Sequence, residues 1–400
     1  VIIVIDVVLF IIALALLVPI TVFFIECSAA LLPSRSQAWD VSLPKPRIAV
    51  LVPAHNEAPG IGAALETLLP QLSEQDRLVV IADNCTDDTA AIARRQGATA
   101  IERIDPHLRG KGYALDYGLQ FLEGDPPEVV VVVDADCFVH EGTIDKIARL
   151  ADAFGRPVQA TNLLVQPANP QPRDAVSALA FMVKNLVRPR GLQQLSLPCL
   201  LSTGMALPWS VIRPTSMASG NIVEDMQISV DLAIAGHTTM FCPDALVTGR
   251  LPQQEQAASG QRRRWEHGHL QTLQTQVPLL LKASVVQKRF DLLAIALDLC
   301  IPPLSLLVVM WLVAMGGALL TAALGASWIP GIILIIEGFL ILFSILGAWA
   351  KFGRADIPVL TLLAVPFYII WKIPLYLAFL VRPETMWIRT PRDTADTPES

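Results

Sequence analysis

The apolar residues of this 400-residue chain are segregated, and that segregation limits its fold more than any single motif. Residues 1–25 hold one acid and no base, and residues 291–350 hold only Asp291, Asp298 and Glu337 as charges. A chain that is 53% hydrophobic and 16% charged is too apolar for an ordinary soluble protein of this length, and the excess lies in runs able to cross about 30 Å of hydrocarbon. The middle has ordinary charge density and reads as one soluble domain between membrane segments. The opening run, Val1–Ile25, is too long for a signal-peptide core and lacks a small-residue cleavage site, so a retained transmembrane helix is expected. Because residue 1 is Val, the native start is expected upstream.

Three apolar blocks follow residue 288, roughly 292–315, 328–350 and 357–381. The first two are expected to span the bilayer. The third contains Pro358, Pro366, Pro374 and Lys372, and is either a kinked span or a helix lying in the interface. Lys351 and Arg354 lie between the second and third blocks while 321–327 carries no charge, which puts the positive loop and the soluble domain in the cytoplasm. Arg382, Arg389 and Arg392 prefer that side as well, which favours the interfacial reading of the third block. The net charge of −6 gives no reason to expect a nucleic-acid partner. Cys27, Cys85, Cys137, Cys199, Cys242 and Cys300 form no CxxC pair, so a reducing compartment is expected and no disulfide framework is indicated.

From Arg47 onward, short β-rich stretches alternate with stretches of helical period. Ile48–Val52, Leu78–Ala82, Ala98–Ile101 and Glu128–Val133 read as strands, the last as a central parallel strand apolar on both faces. Ile61, Leu65, Leu68, Leu69 and Leu72 share a helical face, a second helix runs to Arg95 and stops at Gly97, and 112–122 forms a third. The alternation implies an α/β fold, with 33–46 linking it to the first membrane helix.

In an open parallel sheet, ligands gather at the carboxyl ends of the strands. Polar clusters fall there: Pro53-Ala-His55-Asn-Glu57, Asp83-Asn-Cys-Thr-Asp-Asp88 and Asp134-Ala-Asp136. Each is weak alone, because Asp, Asn and Thr also serve turns and caps. In sequence at three strand ends they suggest a nucleotide-sugar site, with Asp83 accepting from a base or ribose and Asp134 and Asp136 holding Mg2+ or Mn2+. Gly110-Lys111-Gly112 opens a helix, either as a plain turn or as backbone amides and a cation approaching the donor. Glu224 and Asp225 precede a helical stretch, where the dipole alone would favour them; Asp225 is also the candidate base for an acceptor hydroxyl. If 261–265 is helical, Gln261, Arg264 and Trp265 share a face by their spacing, so Arg264 can meet a pyrophosphate and Trp265 can stack on a sugar. The same stretch also reads as a basic amphipathic helix on anionic lipid, and the two readings can coexist. Met182 and Met205 are expected to be packing residues.

The order of these motifs resembles the family 2 glycosyltransferases of GT-A fold, in the membrane branch of cellulose, chitin and hyaluronan synthases and smaller exopolysaccharide transferases. The resemblance rests on 52–57, 82–87, 109–112, Asp134-Ala-Asp136, Ser202-Thr203-Gly204-Met205, Glu224-Asp225 and Gln261-Arg-Arg-Arg264-Trp265, and covers about residues 47–270. It implies an inverting transfer from a nucleotide diphosphate sugar, a UDP-sugar being the expected donor, with catalytic Asp225 and Glu224. Pro53, His55, Glu57, Asp83, Lys111, Asp134 and Arg264 would bind the donor, Thr203, Gly204, Gln261 and Trp265 the acceptor, and Asp134 and Asp136 the divalent cation.

The expected architecture is therefore a Rossmann-like, mostly parallel GT-A domain flanked by transmembrane helices. A membrane helix covers 1–32, a linker 33–46, the catalytic domain with a terminal interfacial helix 47–288, a C-terminal membrane region 289–381 and a polar tail 382–400. The expected setting is a bacterial inner membrane, with a lipid-linked or membrane-proximal saccharide acceptor and polysaccharide-export partners. A processive synthase and a silent export scaffold are the alternatives; five intact polar groups, Asp134, Asp136, Asp225, Arg264 and Trp265, argue against the scaffold.

Overall fold

The structure, a computed structural model, describes residues 2–33, 43–167, 170–220, 223–250 and 255–381. Most of the expected linker, Asn221 and Ile222 before the Glu-Asp pair, and the tail with Arg382, Arg389 and Arg392 lie outside the described residues. In chain order the elements are α1 (Ile2–Leu31), β1 (Ile48–Ala54), α2 (Ile61–Leu68), β2 (Arg77–Asp83), α3 (Thr89–Arg95), β3 (Thr99–Arg103), α4 (Lys111–Leu122), β4 (Val129–Val132) and β5 (Cys137–Val139). Then come α5 (Thr143–Phe154), β6 (Val158–Val165), α6 (Pro172–Met182), α7 (Arg188–Gln194), β7 (Met205–Pro208), α8 (Trp209–Ile212), α9 (Glu224–Ile234) and β8 (Met240–Arg250). The chain continues with α10 (Glu255–Gln287), α11 (Phe290–Leu299), α12 (Leu304–Ala323), α13 (Ile329–Ala348) and α14 (Val365–Val381). They group into a sheet unit, 36–169 with 198–268, and a helical unit, 1–35 with 170–197 and 269–383.

The sheet unit holds eight strands in the order β3-β2-β1-β4-β7-β6-β8-β5. The first four are mutually parallel; β7 then runs antiparallel to both β4 and β6, β8 runs parallel to β6, and β5 closes the edge antiparallel to β8. The sheet is thus mixed, its parallel half being the part read from the sequence. Strand alternation builds two cores. Ile48, Val50 and Val52 face Ile61, Leu65 and Leu68 of α2 and Ile144 and Ile147 of α5. Ala49 and Leu51 face the other way, onto Leu115, Leu119 and Leu122 of α4 and Ile228 and Leu232 of α9. Each large aliphatic side chain buried there stabilises the unit by about 1.5–3 kcal/mol. Met205 is fully buried in this second core, as a packing residue.

In the helical unit, four segments among the described residues are long and apolar enough to cross a membrane: Ile3–Leu31, Leu304–Ala323, Ile329–Gly353 and Val359–Phe379. The first C-terminal block differs from the sequence reading. Residues 292–315 are not one helix, because Pro302 and Pro303 follow Cys300 at the end of α11 and the backbone turns extended at Pro303 before α12 begins. In the third block Pro366 falls in the first turn of α14, where the missing N–H costs nothing; Pro374 lies inside the helix, and 359–364 is a tighter 3-10 turn. The segment 170–197, read as catalytic domain, groups with the membrane helices. Its Arg188 is buried and donates to Glu26 of α1 at 2.7 Å and to the Asp298 carboxylate of α11. Buried charges persist only when paired in this way. Gly191 lets α7 lie directly on α1, since a methyl there would overlap the Glu26 carbonyl. Lys351 donates to the carbonyls of Ala30, Leu31 and Leu32 at 3.0, 2.9 and 3.0 Å, satisfying acceptors that the end of α1 leaves open.

Candidate active site

The carboxyl ends of β1 and β2 are stitched into one loop surface. Asn56, just past β1, takes a positive φ of 54°, which an Asn tolerates, and its side-chain oxygen accepts the Thr86 N–H at 2.7 Å. The Glu57 N–H donates to Thr89 Oγ1 at 2.8 Å, and Asp87 accepts from the Thr89 N–H and the Ala58 N–H, both at 3.1 Å. Asn84, with φ of 50°, turns the chain sharply out of β2. His55 Nδ1 lies 2.6 Å from the Asp83 carbonyl. Of the expected donor residues here, Glu57 and Asp83 are buried, while Pro53 and His55 are half-buried.

Asp83 does not stand alone. The parallel register sets Asp83 beside Arg103, the last residue of β3, and the Arg103 guanidinium donates to Asp83 Oδ1 at 2.7 Å and approaches Asp105 at 3.4 Å. Sequence reading missed Arg103. The signal was present in the matched ends of two adjacent parallel strands, although one Arg closing a five-residue strand carries no pattern of its own.

A second cluster lies at the start of α4. Lys111 Nζ sits 2.7 Å from Asp134 Oδ1 and 3.0 Å from Glu224 Oε1, so it bridges the ends of β4 and α9. Beside it, Gly112 lets α4 lie directly on residues 217–219, since a Cβ there would come within 2.6 Å of the carbonyls of both Met217 and Ser219. Burial tends to lower the Lys111 pKa, but Asp134, Glu224 and Asp225 outweigh it and hold the ammonium well above its ordinary value. Burial raises Glu224 above the usual carboxylate range, with Lys111 pulling it back and the Asp225 and Asp134 charges adding to the rise. Asp225, the next residue, is only half-buried; its Oδ1 accepts the Met226 N–H at 2.8 Å. The structure thus brings Lys111, Asp134, Glu224 and Asp225 into one electrostatic group, in which Lys111 is committed to carboxylates.

Behind Asp134, Thr203 and Gly204 hold the strand end. The Asp134 N–H donates to Thr203 Oγ1 at 2.9 Å, the Gly204 N–H to the Val132 carbonyl at 3.0 Å, and both residues are buried. The Thr203 hydroxyl and the Gly204 N–H thus support the backbone that leads into Asp134. Gly204 has φ of 78°, and a Cβ on it would meet Val247 at 2.7 Å.

Asp134, Asp136 and Cys137 each bring a ligand atom within 4.8 Å of the others. Burial, then the Asp136 and Asp134 charges, push the Cys137 thiol well above its usual range. That leaves carboxylate oxygens as the donors, a set that fits a hard divalent cation such as Mg2+ or Mn2+. Gln261, Arg264 and Trp265 fall within α10, so the helical spacing that shares a face is met; Gln261 is buried, and Arg264 and Trp265 are half-buried.

In an open α/β sheet, ligands bind outside the carboxyl ends of the parallel strands, and that is where these acidic loops lie. The model for glycosyltransferase-like family 2 matches residues 46–268, and the chain belongs to that family. Curated relatives match over short stretches. The low-salt glycan biosynthesis hexosyltransferase Agl6 of Haloferax volcanii is 36% identical over 94 residues, 23% of this chain and 21% of the relative. The 4,4'-diaponeurosporenoate glycosyltransferase of Staphylococcus aureus is 30% identical over 124 residues, 30% of this chain and 32% of the relative. The chain therefore spans about a fifth to a third of these two relatives' lengths. The fold is shared with the mannosyltransferase PcManGT of Pyrobaculum calidifontis, solved with GDP-Man and Mn2+, at a TM-score of 0.55 and 20% identity over 91% of this chain and 99% of that one.

Proposed function

We propose that the protein transfers a hexosyl group, with inversion, from a UDP-sugar to a hydroxyl of a lipid-linked or membrane-proximal acceptor in exopolysaccharide or glycolipid assembly. The observation that carries this reading is the Lys111, Asp134, Glu224 and Asp225 cluster at the sheet rim. Asp225, the less buried of the adjacent pair, takes the proton of the acceptor hydroxyl as its oxygen bonds to the anomeric carbon from the face opposite the diphosphate, a contribution of about 10²–10⁴ in rate. The bond between that carbon and the diphosphate oxygen breaks, and its electron pair leaves with the nucleoside diphosphate. Asp134 and Asp136 would hold the cation, which supplies positive charge to the leaving diphosphate. Lys111 keeps Glu224 and Asp134 in place so that Asp225 is correctly aimed. Arg264 lends charge to the diphosphate and Trp265 a stacking face to the acceptor.

The candidate membrane helices, and the diaponeurosporenoate named in one relative, support a lipid-borne acceptor. The charge rule supports a cytoplasmic orientation of the catalytic unit in the proposed bacterial inner membrane, since Lys351 and Arg354 follow α13 while 324–328 is uncharged. Membranes containing the protein, given a panel of radiolabelled nucleotide sugars, are expected to pass label from a UDP-sugar into the organic-extractable fraction. EDTA should stop this and added Mg2+ or Mn2+ restore it. Label found solely in a long polymer would favour a processive synthase, and full activity in EDTA would remove the metal role of Asp134 and Asp136.

A further inference from the structure

We infer that Arg103 is a positioning residue of the donor site, and that with Asn84 it shapes Asp83 to select a uracil base over guanine. The inference rests on the transferase reading above and deepens it. Asp83 Oδ1 accepts twice, from Arg103 Nη1 at 2.7 Å and from Asn84 Nδ2 at 3.0 Å. Both partners are themselves fixed. The Asn84 N–H donates to the Arg103 carbonyl at 2.7 Å, and Asn84 Oδ1 accepts the Asp105 N–H at 2.9 Å. Arg103 also reaches Asp105, which is tied by the His107 and Leu108 N–H groups at 2.9 Å each, and its guanidinium lies 5.7 Å from the centre of the Tyr113 ring. The Asp83 and Arg103 side chains are only 9% and 10% exposed, so neither can swing to a new geometry at little cost.

The consequence is a count of lone pairs. An ionised carboxylate has about four acceptor sites, two on each oxygen. With Oδ1 filled by Arg103 and Asn84, Oδ2 is left, among the described residues, as the oxygen that can accept from a ligand. One acceptor beside a guanidinium with further N–H groups complements one ring N–H flanked by carbonyl oxygens, which is the imide edge of uracil. Guanine presents a ring N–H together with an exocyclic amino group. It needs both carboxylate oxygens, and here its amino group would meet an oxygen already occupied. A buried donor left unpaired weakens binding by about tenfold or more.

The test is equilibrium binding of UDP and GDP to the purified full chain in detergent micelles with Mn2+. The variants are Arg103→Ala, Arg103→Lys and Asn84→Gly; the last keeps the positive-φ turn, because glycine adopts it freely, while removing one donor to Oδ1. Wild type is expected to prefer UDP by about tenfold or more. Arg103→Ala should weaken UDP by about tenfold and erase the preference, with Arg103→Lys recovering part of it. Asn84→Gly, which also takes the side-chain acceptor from the Asp105 N–H, should keep the fold, seen in an unfolding midpoint lowered by only about 2–4 °C, and narrow the UDP-to-GDP ratio. Equal binding of UDP and GDP by wild type, or an unaltered ratio in both Arg103→Ala and Asn84→Gly, would overturn the inference while leaving the transferase reading intact. Binding of neither nucleotide by wild type would overturn that reading and this inference together.

Discussion

Replacing Lys111 by Met removes the cation that three carboxylates share and leaves the shape of the side chain largely in place. The Glu224 side chain is 8% exposed and that of Asp134 is 34% exposed, so the two arms of the bridge differ in weight. Deleting one partner of a buried ion pair costs about 3–5 kcal/mol, because the other charge stays behind unpaired. The Asp134 arm is screened by water and adds at most about 1 kcal/mol. A loss near 3 kcal/mol, in a unit of roughly 200 residues, lowers the unfolding midpoint by about 6–12 °C. The assay is thermal unfolding of the full chain in detergent micelles and chelator, for wild type, Lys111→Met, Glu224→Gln and the double variant. The double variant should regain much of the loss, with a coupling of about 2 kcal/mol or more between the two sites. A Lys111→Met midpoint within about 2 °C of wild type, or strictly additive effects, would refute the reasoning that this bridge holds the site together.

Asp76 carries a second prediction. Its carboxylate accepts from the Ser73 N–H and hydroxyl at 2.7 Å each, from Lys45 at 2.9 Å and from the Ile48 N–H at 3.1 Å. Burial pushes its pKa up, yet the Ser73, Lys45 and Ile48 donors outweigh burial and hold it below the ordinary 3.8. A depressed folded pKa gives stability that is present above the ordinary value and lost as pH falls through the folded one. Asp76→Asn should therefore cost about 1–3 kcal/mol at neutral pH, and its denaturation midpoint should converge with that of wild type as the pH drops below the ordinary carboxylate range. Gly191→Ala should force α7 away from the Glu26 carbonyl and cost about 1–3 kcal/mol or more, read as a lowered midpoint and reduced yield in detergent.

The parallel half of the sheet was legible because its strands are short aliphatic runs ending in polar loops, and β1, β2 and β4 lie where the runs placed them. The other half hid for a physical reason. In β6 the interior positions include Gln159, Thr161 and Asn162, all buried, so hydrophobic alternation fails there. Those polar groups are satisfied by bonds no periodicity can show, such as Gln159 Nε2 to the Thr203 carbonyl at 2.8 Å and Asn162 Nδ2 to Ser202 Oγ at 3.1 Å. In β8, Pro243 and Asp244 accompany a register shift against β6 and mask the strand. The segment 170–197 fell inside the expected catalytic domain, and the pairing of Arg188 with Glu26 and Asp298, which no sequence pattern shows, ties it to the membrane helices. At the site, motif order identified Asp134, Glu224 and Asp225 as neighbours. What it could not show was that Lys111 spends its charge on Asp134 and Glu224, or that Thr203 supports Asp134 from behind.

The proposed sugar transfer through Asp225 is most directly tested by measuring turnover and nucleotide affinity in parallel for purified Asp225→Asn, with whichever labelled nucleotide sugar wild type accepts. Turnover should fall by about 10²–10⁴ while the UDP dissociation constant stays within a few fold, since removing a base should not disturb donor binding. Wild-type turnover in the variant would contradict the account at its centre.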